Sequence, residues 1–243
     1  MNKTALIGII GAMRVEMDAL IAKMEQPEQT VISGVTFYRG KLFDRDVVAA
    51  VCGVGKVFAA LCCEAMILHY APDLIINIGV GGSLDTALGI CDVALAQDAV
   101  QHDMDTTPLG DPAGLISGIN LVHLPCDKRV LAHFIATVEA LGIPYKTGTI
   151  ASGDQFINSE EQKRRIRTAF NAIACEMEGA AVVHVCHVNR VPVCVMRTVS
   201  DTADGSSHMD YSTFVQAAAA QSERIITRFL STLPPDLFSP SEC

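Results

Sequence analysis

IACEMEGAA, residues 173–181, sets a short apolar run against two carboxylates and then a segment of small residues. Residues 173–175 have the apolar, partly β-branched character of a buried strand. Gly179, Ala180 and Ala181, with the apolar run to Val188, read as the closely packed start of a helix. Glu176 and Glu178 therefore fall at a strand-to-helix junction. A carboxylate in such a setting is costly unless something pairs with it, and a cation or a hydroxyl-rich ligand would do so. A glutamate favoured by the dipole of the helix N-terminus is the alternative. The stretch by itself leaves both readings open.

Similar junctions recur along the chain. Residues 5–10 read as a buried strand ending at Gly11, with a helix over 15–24, so Glu16 lies just past a strand end. Strands are expected over 31–39 and 47–52, with a turn at 44–46. Gly53-Val54-Gly55-Lys56 then precedes an Ala-rich helix running to Tyr70; its spacing is not that of a P-loop, so it is a weak phosphate signal. Residues 74–78 form a strand that runs into a second glycine loop, Gly79-Val80-Gly81-Gly82-Ser83. That spacing is not GxGxxG, but the glycines permit close approach of backbone N–H groups to a small ligand. A strand over 93–100 leads into His102-Asp103-Met104-Asp105 and a Pro/Gly-rich loop to Gly118, which reads equally as a lid or a contact with a second subunit.

A helix over 127–141 stops at Gly142 and Pro144, and a strand follows over 145–150. The loop over 152–158 carries Phe156, either a stacking platform for a base or a ring tucked into the core. Residues 160–170 form a charged helix expected to face solvent and given no function. A strand over 191–199 ends in Arg197-Thr198-Val199-Ser200-Asp201; a helix over 211–233 and a Pro/Ser-rich tail over 234–243 complete the chain. Alternating apolar strands and helices predict a single α/β domain over 1–233, with helices on both faces of one sheet. In such sheets ligands sit beyond the carboxyl ends of the strands. Glu16, the Gly79 loop, Phe156, Glu176, Glu178, Arg197 and Asp201 all directly follow predicted strands, the arrangement expected of an enzyme pocket.

Composition excludes several classes. The net charge is −9 and no Lys/Arg cluster resembles a nucleic-acid footprint, which argues against a nucleic-acid partner. Half of the residues are hydrophobic, yet no run approaches the roughly 18 to 20 apolar residues of a membrane span. The N-terminal apolar run is short and followed by Arg14, Glu16 and Asp18, so it reads as a strand rather than a signal peptide. The nine cysteines lack CxxC spacing and lie mostly in apolar segments, as reduced core residues of a cytoplasmic protein would. His184 and His187 around Cys186 read as helix packing, so neither a metal nor a cofactor is expected.

The blocks GIIGAMRVEM, CGVGKV, NIGVGGSL, SGDQFIN, CEMEGAA and VMRTVSDTAD, in that order over 6–229, resemble the purine nucleoside phosphorylase and uridine phosphorylase superfamily. Within it they are most similar to the 5′-methylthioadenosine/S-adenosylhomocysteine nucleosidases. The resemblance implies a three-layer α/β/α sandwich around a mixed, twisted sheet, and hydrolysis of an N-glycosidic bond to give adenine and a thioribose. By the matched motifs, Asp201 would protonate the adenine N7 as general acid, oriented by Ser200, and Glu16 would activate the attacking water. Glu178 would accept hydrogen bonds from the ribose hydroxyls, with Met177 under the sugar and Glu176 as a secondary sugar contact. Phe156 would stack on adenine and the Ile157 backbone would read the base edge.

Tyr211 and Val54 would lie by the 5′-thio substituent, and Leu109 would reach that pocket from the neighbouring subunit of a homodimer. Val80 departs from the family, which commonly has a hydroxyl residue there, and Asn77 stands where hexameric phosphorylases tend to have a phosphate-binding Arg. Both changes favour water over phosphate as nucleophile and leave Glu16 and Arg197 to position it; Gly81 sits in the same loop. The alternatives are a nucleosidase of different specificity such as a futalosine-type hydrolase, a purine nucleoside phosphorylase, or a non-catalytic nucleoside-binding protein.

Overall fold

The computed structural model describes residues 5–201, 207–234 and 237, without the side chains of 207–210 and 212. The expected tail at 234–243 lies almost wholly outside the described residues. In chain order the elements are β1 (Leu6–Gly11), α1 (Arg14–Ile21), β2 (Glu25–Ile32), β3 (Val35–Leu42), β4 (Arg45–Val51), α2 (Lys56–Tyr70), β5 (Leu74–Ser83) and β6 (Val93–Gln101). A 3-10 turn (Thr107–Leu109) precedes β7 (Leu124–Pro125), α3 (Lys128–Ala140), β8 (Tyr145–Ser152), α4 (Glu160–Phe170), β9 (Ala172–Glu176), α5 (Gly179–Asn189), β10 (Val193–Asp201) and α6 (Ser207–Thr232).

These strands make one mixed sheet in the order β10-β6-β8-β9-β5-β1-β4-β3-β2, with β7 beside β6. β10 also pairs with β5, so β5, β10, β6, β8 and β9 close into a ring. The three-layer expectation holds, because the period-two alternation of the strands feeds two cores. On β1, Leu6 and Ile10 join the core formed with α2 and α5, while Ile7 and Ile9 join the core formed with α1, α3 and α6.

Two local expectations are corrected. The strand expected over 31–39 is broken by a tight turn, with Ser33 and Gly34 at φ 50° and 79°, which joins β2 to β3. Apolar and β-branched residues flank the turn on both sides, but Ser33-Gly34 is itself a turn signal; left-handed φ at both central residues is the geometry a two-residue hairpin needs. The second glycine loop is in fact strand: β5 continues through Gly79-Val80-Gly81-Gly82-Ser83, paired with β10 and β9.

Candidate active site

A pocket opens where β5, β9 and β10 end, and its wall contains four carboxylates: Glu16, Glu176, Glu178 and Asp201. All four are buried. Each is stabilised by a different local device.

Glu16 sits in the first turn of α1 and is 3% exposed. Its Oε2 accepts from the N–H groups of Ala12 (2.9 Å) and Met13 (2.8 Å), and its Oε1 accepts from the Val80 N–H (3.0 Å). The bond to Met13 is the return arm of a capping box, in which a glutamate at the third helical position reaches back to the N-cap. Burial raises its pKa above the ordinary carboxylate value, against the opposing pull of the Val80 hydrogen bond and the Arg197 charge. Val80 lacks a side-chain hydroxyl, but its backbone supplies a donor to the expected base.

The glycines of β5 make room for two of these carboxylates. A Cβ at Gly79 would lie 2.7 Å from Glu16 Oε1, and one at Gly82 would lie 2.7 Å from Asp201 Oδ2. Close approach is thus what these glycines supply, but to protein carboxylates. Asp201, at the end of β10, is 3% exposed, and the Ser200 hydroxyl donates to its Oδ1 at 3.1 Å.

Both glutamates of the opening motif meet the N-terminus of a helix. Glu176 is the helix-end charge: its Oε2 accepts from the N–H groups of Glu178 (3.0 Å) and Gly179 (2.7 Å) at the start of α5. It also receives the Arg197 guanidinium and the Ser152 hydroxyl. A carboxylate so occupied organises the site, in whose wall it stands. Glu178 Oε1 accepts from the Gly55 N–H at 2.8 Å, and its Oε2 lies 3.9 Å from Arg197 Nη2. Burial first, and the Glu176 charge second, push the Glu178 pKa up to about 7. The GVGK segment therefore does hold an anion at a helix N-terminus. Gly55, at φ 102°, turns its N–H onto Glu178, and the Lys56 N–H meets Asp154 Oδ1 at 2.8 Å.

Arg197 was expected beside the nucleophile, and the structure places it behind the wall instead. It is 1% exposed, and its Nη2 binds Glu176 and, at 2.6 Å, Asn77 Oδ1. Asn77 Nδ2 in turn donates to the Ile10 carbonyl at 3.0 Å. Arg197 thus acts through Glu176, its Nη2 being shared between Glu176 and Asn77 while Nη1 donates to the carbonyls of Asn77 and Met196.

The remaining expected residues divide cleanly. Val80, Gly81, Phe156, Ile157, Met177, Ser200, Tyr211 and Val54 all line the pocket. Phe156 meets Tyr211 edge-to-face with ring centroids 5.6 Å apart, forming an aromatic rim. Leu109 does not join the pocket; it sits on the 3-10 turn, 83% exposed. Met13 and Gln155 also line the pocket and were missed, carrying no chemical signal of their own.

Lys163 on α4 was missed too. It is 2% exposed, with its ammonium 3.7 Å from Asp201 Oδ2. The helix expected to face solvent therefore buries one of its charges. The available signal was the spacing of Lys163, Ile166 and Phe170 at i, i+3 and i+7, one buried stripe.

A pocket at strand ends with four carboxylates, an aromatic rim and no Lys, Arg or His among its described lining residues suits a neutral or cationic, hydroxyl-rich ligand with an aromatic ring. Residues 6–231 match the phosphorylase superfamily, and the chain belongs to that family. It is 38% identical to a 5′-methylthioadenosine/S-adenosylhomocysteine nucleosidase of Staphylococcus aureus over 94% of this chain and 100% of that one. The structure of the nucleosidase from Neisseria meningitidis in complex with methylthio-immucillin-A superposes with a TM-score of 0.90 at 30% identity, covering 94% of this chain and 99% of that one. A futalosine hydrolase of Helicobacter pylori superposes equally well, with a TM-score of 0.90, 33% identity and coverage of 95% and 99%.

Proposed function

We propose that the chain hydrolyses the N-glycosidic bond of 5′-methylthioadenosine and S-adenosylhomocysteine to adenine and a 5-thioribose. The observation that carries this is the pair of buried carboxylates, Glu16 and Asp201, set against Gly79 and Gly82 of one strand. Both carboxylates line one pocket, so one carboxyl can act as acid and the other as base, with a water between them at a glycosidic carbon. Asp201 donates a proton to N7 of the departing adenine. Glu16 takes one from the water that attacks C1′, its raised pKa favouring that acceptance. Phe156 stacks on the base at the rim, and Glu178 accepts from the ribose hydroxyls.

Water rather than phosphate is the nucleophile in this reading, because an anion entering among four carboxylates finds no cation in the described wall. Adenine should be released from methylthioadenosine without phosphate, and added phosphate should leave the rate unchanged. The superposition with a futalosine hydrolase supports a second reading of the 5′ end. A panel of methylthioadenosine, S-adenosylhomocysteine and futalosine, read by base release, separates the two. Turnover of futalosine alone would favour the second.

Glu178 gives the pH dependence. With its pKa near 7 in the free protein, it loses its charge below neutrality, and with it the charge-assisted acceptance of two hydroxyls. KM should rise as pH falls through 7, and Glu178→Gln should raise KM and flatten that limb. Its effect on stability has the opposite sign. The folded chain keeps this proton up to about pH 7, while the unfolded chain loses it near 4.5, so folding is penalised increasingly between the two and fully above 7. Glu178→Gln should therefore gain about 3 kcal/mol at pH 8 and little near pH 5, read as a Tm difference that shrinks with acidification.

A homodimer belongs to the same proposal. Val57, Phe58 and Leu61 on α2 and Val188 on α5 are exposed apolar residues on neighbouring helices, and Val54 and Phe156 at the pocket rim are exposed as well. A second copy covering this face would bury them and bring its Leu109 towards the rim. Sedimentation at micromolar concentration should give twice the chain mass, and a monomer would exclude this arrangement.

A further inference from the structure

We infer that Lys163 is a positioning residue for the proton transfer: its ammonium holds the Asp201 carboxyl in place and balances the negative charge left there when the proton passes to N7. This rests on the reading of Asp201 as the general acid.

Lys163 comes from a helix whose composition is that of a solvent-facing surface, and yet it is as buried as the apolar residues Ile166 and Phe170 that share its face. A lysine this deep needs a partner to offset the loss of its hydration, and Asp201 Oδ2 lies 3.7 Å from Nζ. The charged or titratable groups around Asp201 come from several elements. Lys163 faces it from α4, Cys175 and Glu176 from β9 and Tyr211 from α6, with Arg197 earlier on β10 and Glu16 and Glu178 across the pocket. Of the two cations among the described residues, Arg197 is committed to Glu176 and Asn77. Lys163 stands against the acid.

The chemistry explains the placement. When the C1′–N9 bond breaks, its electron pair goes to the base, and Asp201 gives its proton to N7. Asp201 is left ionised in a wall that already contains Glu176 and Glu178. That new charge would oppose the step unless a cation lay within a few ångströms. Lys163 takes no part in the proton transfer itself, and Asp201 recovers its proton from solvent after adenine leaves. Lys163 therefore makes Asp201 a stronger acid, where an apolar residue in its place would leave Asp201 a weaker one that is harder to ionise.

The test is the pH profile of kcat for methylthioadenosine hydrolysis in the wild type, Lys163→Met, Lys163→Gln and Lys163→Arg, with Asp201→Asn alongside. Without the cation, the alkaline limb of kcat should move up by about one pH unit and its plateau should fall about tenfold, with KM changed less than about threefold. Lys163→Arg should keep the limb in place and stay within about threefold of wild type. Adding Lys163→Met to Asp201→Asn should cost nothing further. Lys163→Gln carries the test should the Met variant fail to fold. A limb that stays in place in the folded Met or Gln variant, while Asp201→Asn is inactive, overturns the role of Lys163 alone. An active Asp201→Asn overturns the underlying assignment of the acid.

Discussion

Asp201→Asn is expected to lower kcat about a thousandfold, some 4 kcal/mol of transition-state stabilisation, while adenine binds within about tenfold of the wild-type affinity. The substitution preserves the shape of the side chain and its hydrogen bond to the Ser200 hydroxyl, 3.1 Å away in the wild type. What it removes is the transferable proton. An amide can still hydrogen-bond the base edge, so binding and chemistry should separate cleanly. Steady-state kinetics and adenine calorimetry on the same preparation read both. A kcat within tenfold of wild type would mean that the leaving base takes its proton from elsewhere.

Glu16→Gln should lower kcat by a similar factor, and it should also weaken the fold. Three N–H groups, of Ala12, Met13 and Val80, converge on the two carboxylate oxygens. A glutamine offers one acceptor oxygen and turns an NH2 group towards at least one of those donors. Leaving a buried donor unsatisfied costs about 1–3 kcal/mol. At the size of this chain, each kcal/mol lost lowers Tm by about 2–4 °C. The two effects have different origins and can be measured apart: kcat well below Tm reports the lost base, and the melting curve reports the broken hydrogen bonds. Loss of stability with kcat unchanged would leave Glu16 as a helix cap and nothing more.

The sequence shows most of the fold and the identity of the acids, but not how they are held. The strand-to-helix junctions are legible because apolar runs end at a glycine or a carboxylate, as at Gly11 and Glu176, and the chain then resumes with helical spacing. The carboxylates are legible for the same reason. Many of their partners are not, because these come from distant parts of the chain: Gly55 to Glu178, Val80 to Glu16, Ser152 to Glu176 and Lys163 to Asp201. No local periodicity encodes such pairings.

The glycines of β5 mislead because a glycine cluster reads as a loop. Here the missing Cβ atoms instead let two carboxyl groups lie against a strand. Lys163 hides in a helix that has charges on most of its faces, and Arg197 sits behind the wall because Glu176 and Asn77 hold its guanidinium there. Leu109 lies on an exposed turn outside this chain's own pocket, so a role for it depends on a second subunit.

The central claim is that two carboxylates set along β5 split an N-glycosidic bond with water. Turnover of methylthioadenosine in H₂¹⁸O, in the presence of phosphate and analysed by mass spectrometry, tests it most directly. The expected products are unlabelled adenine and a 5-methylthioribose carrying one ¹⁸O at C1. A sugar 1-phosphate in place of the labelled sugar, or no release of adenine at all, would contradict it.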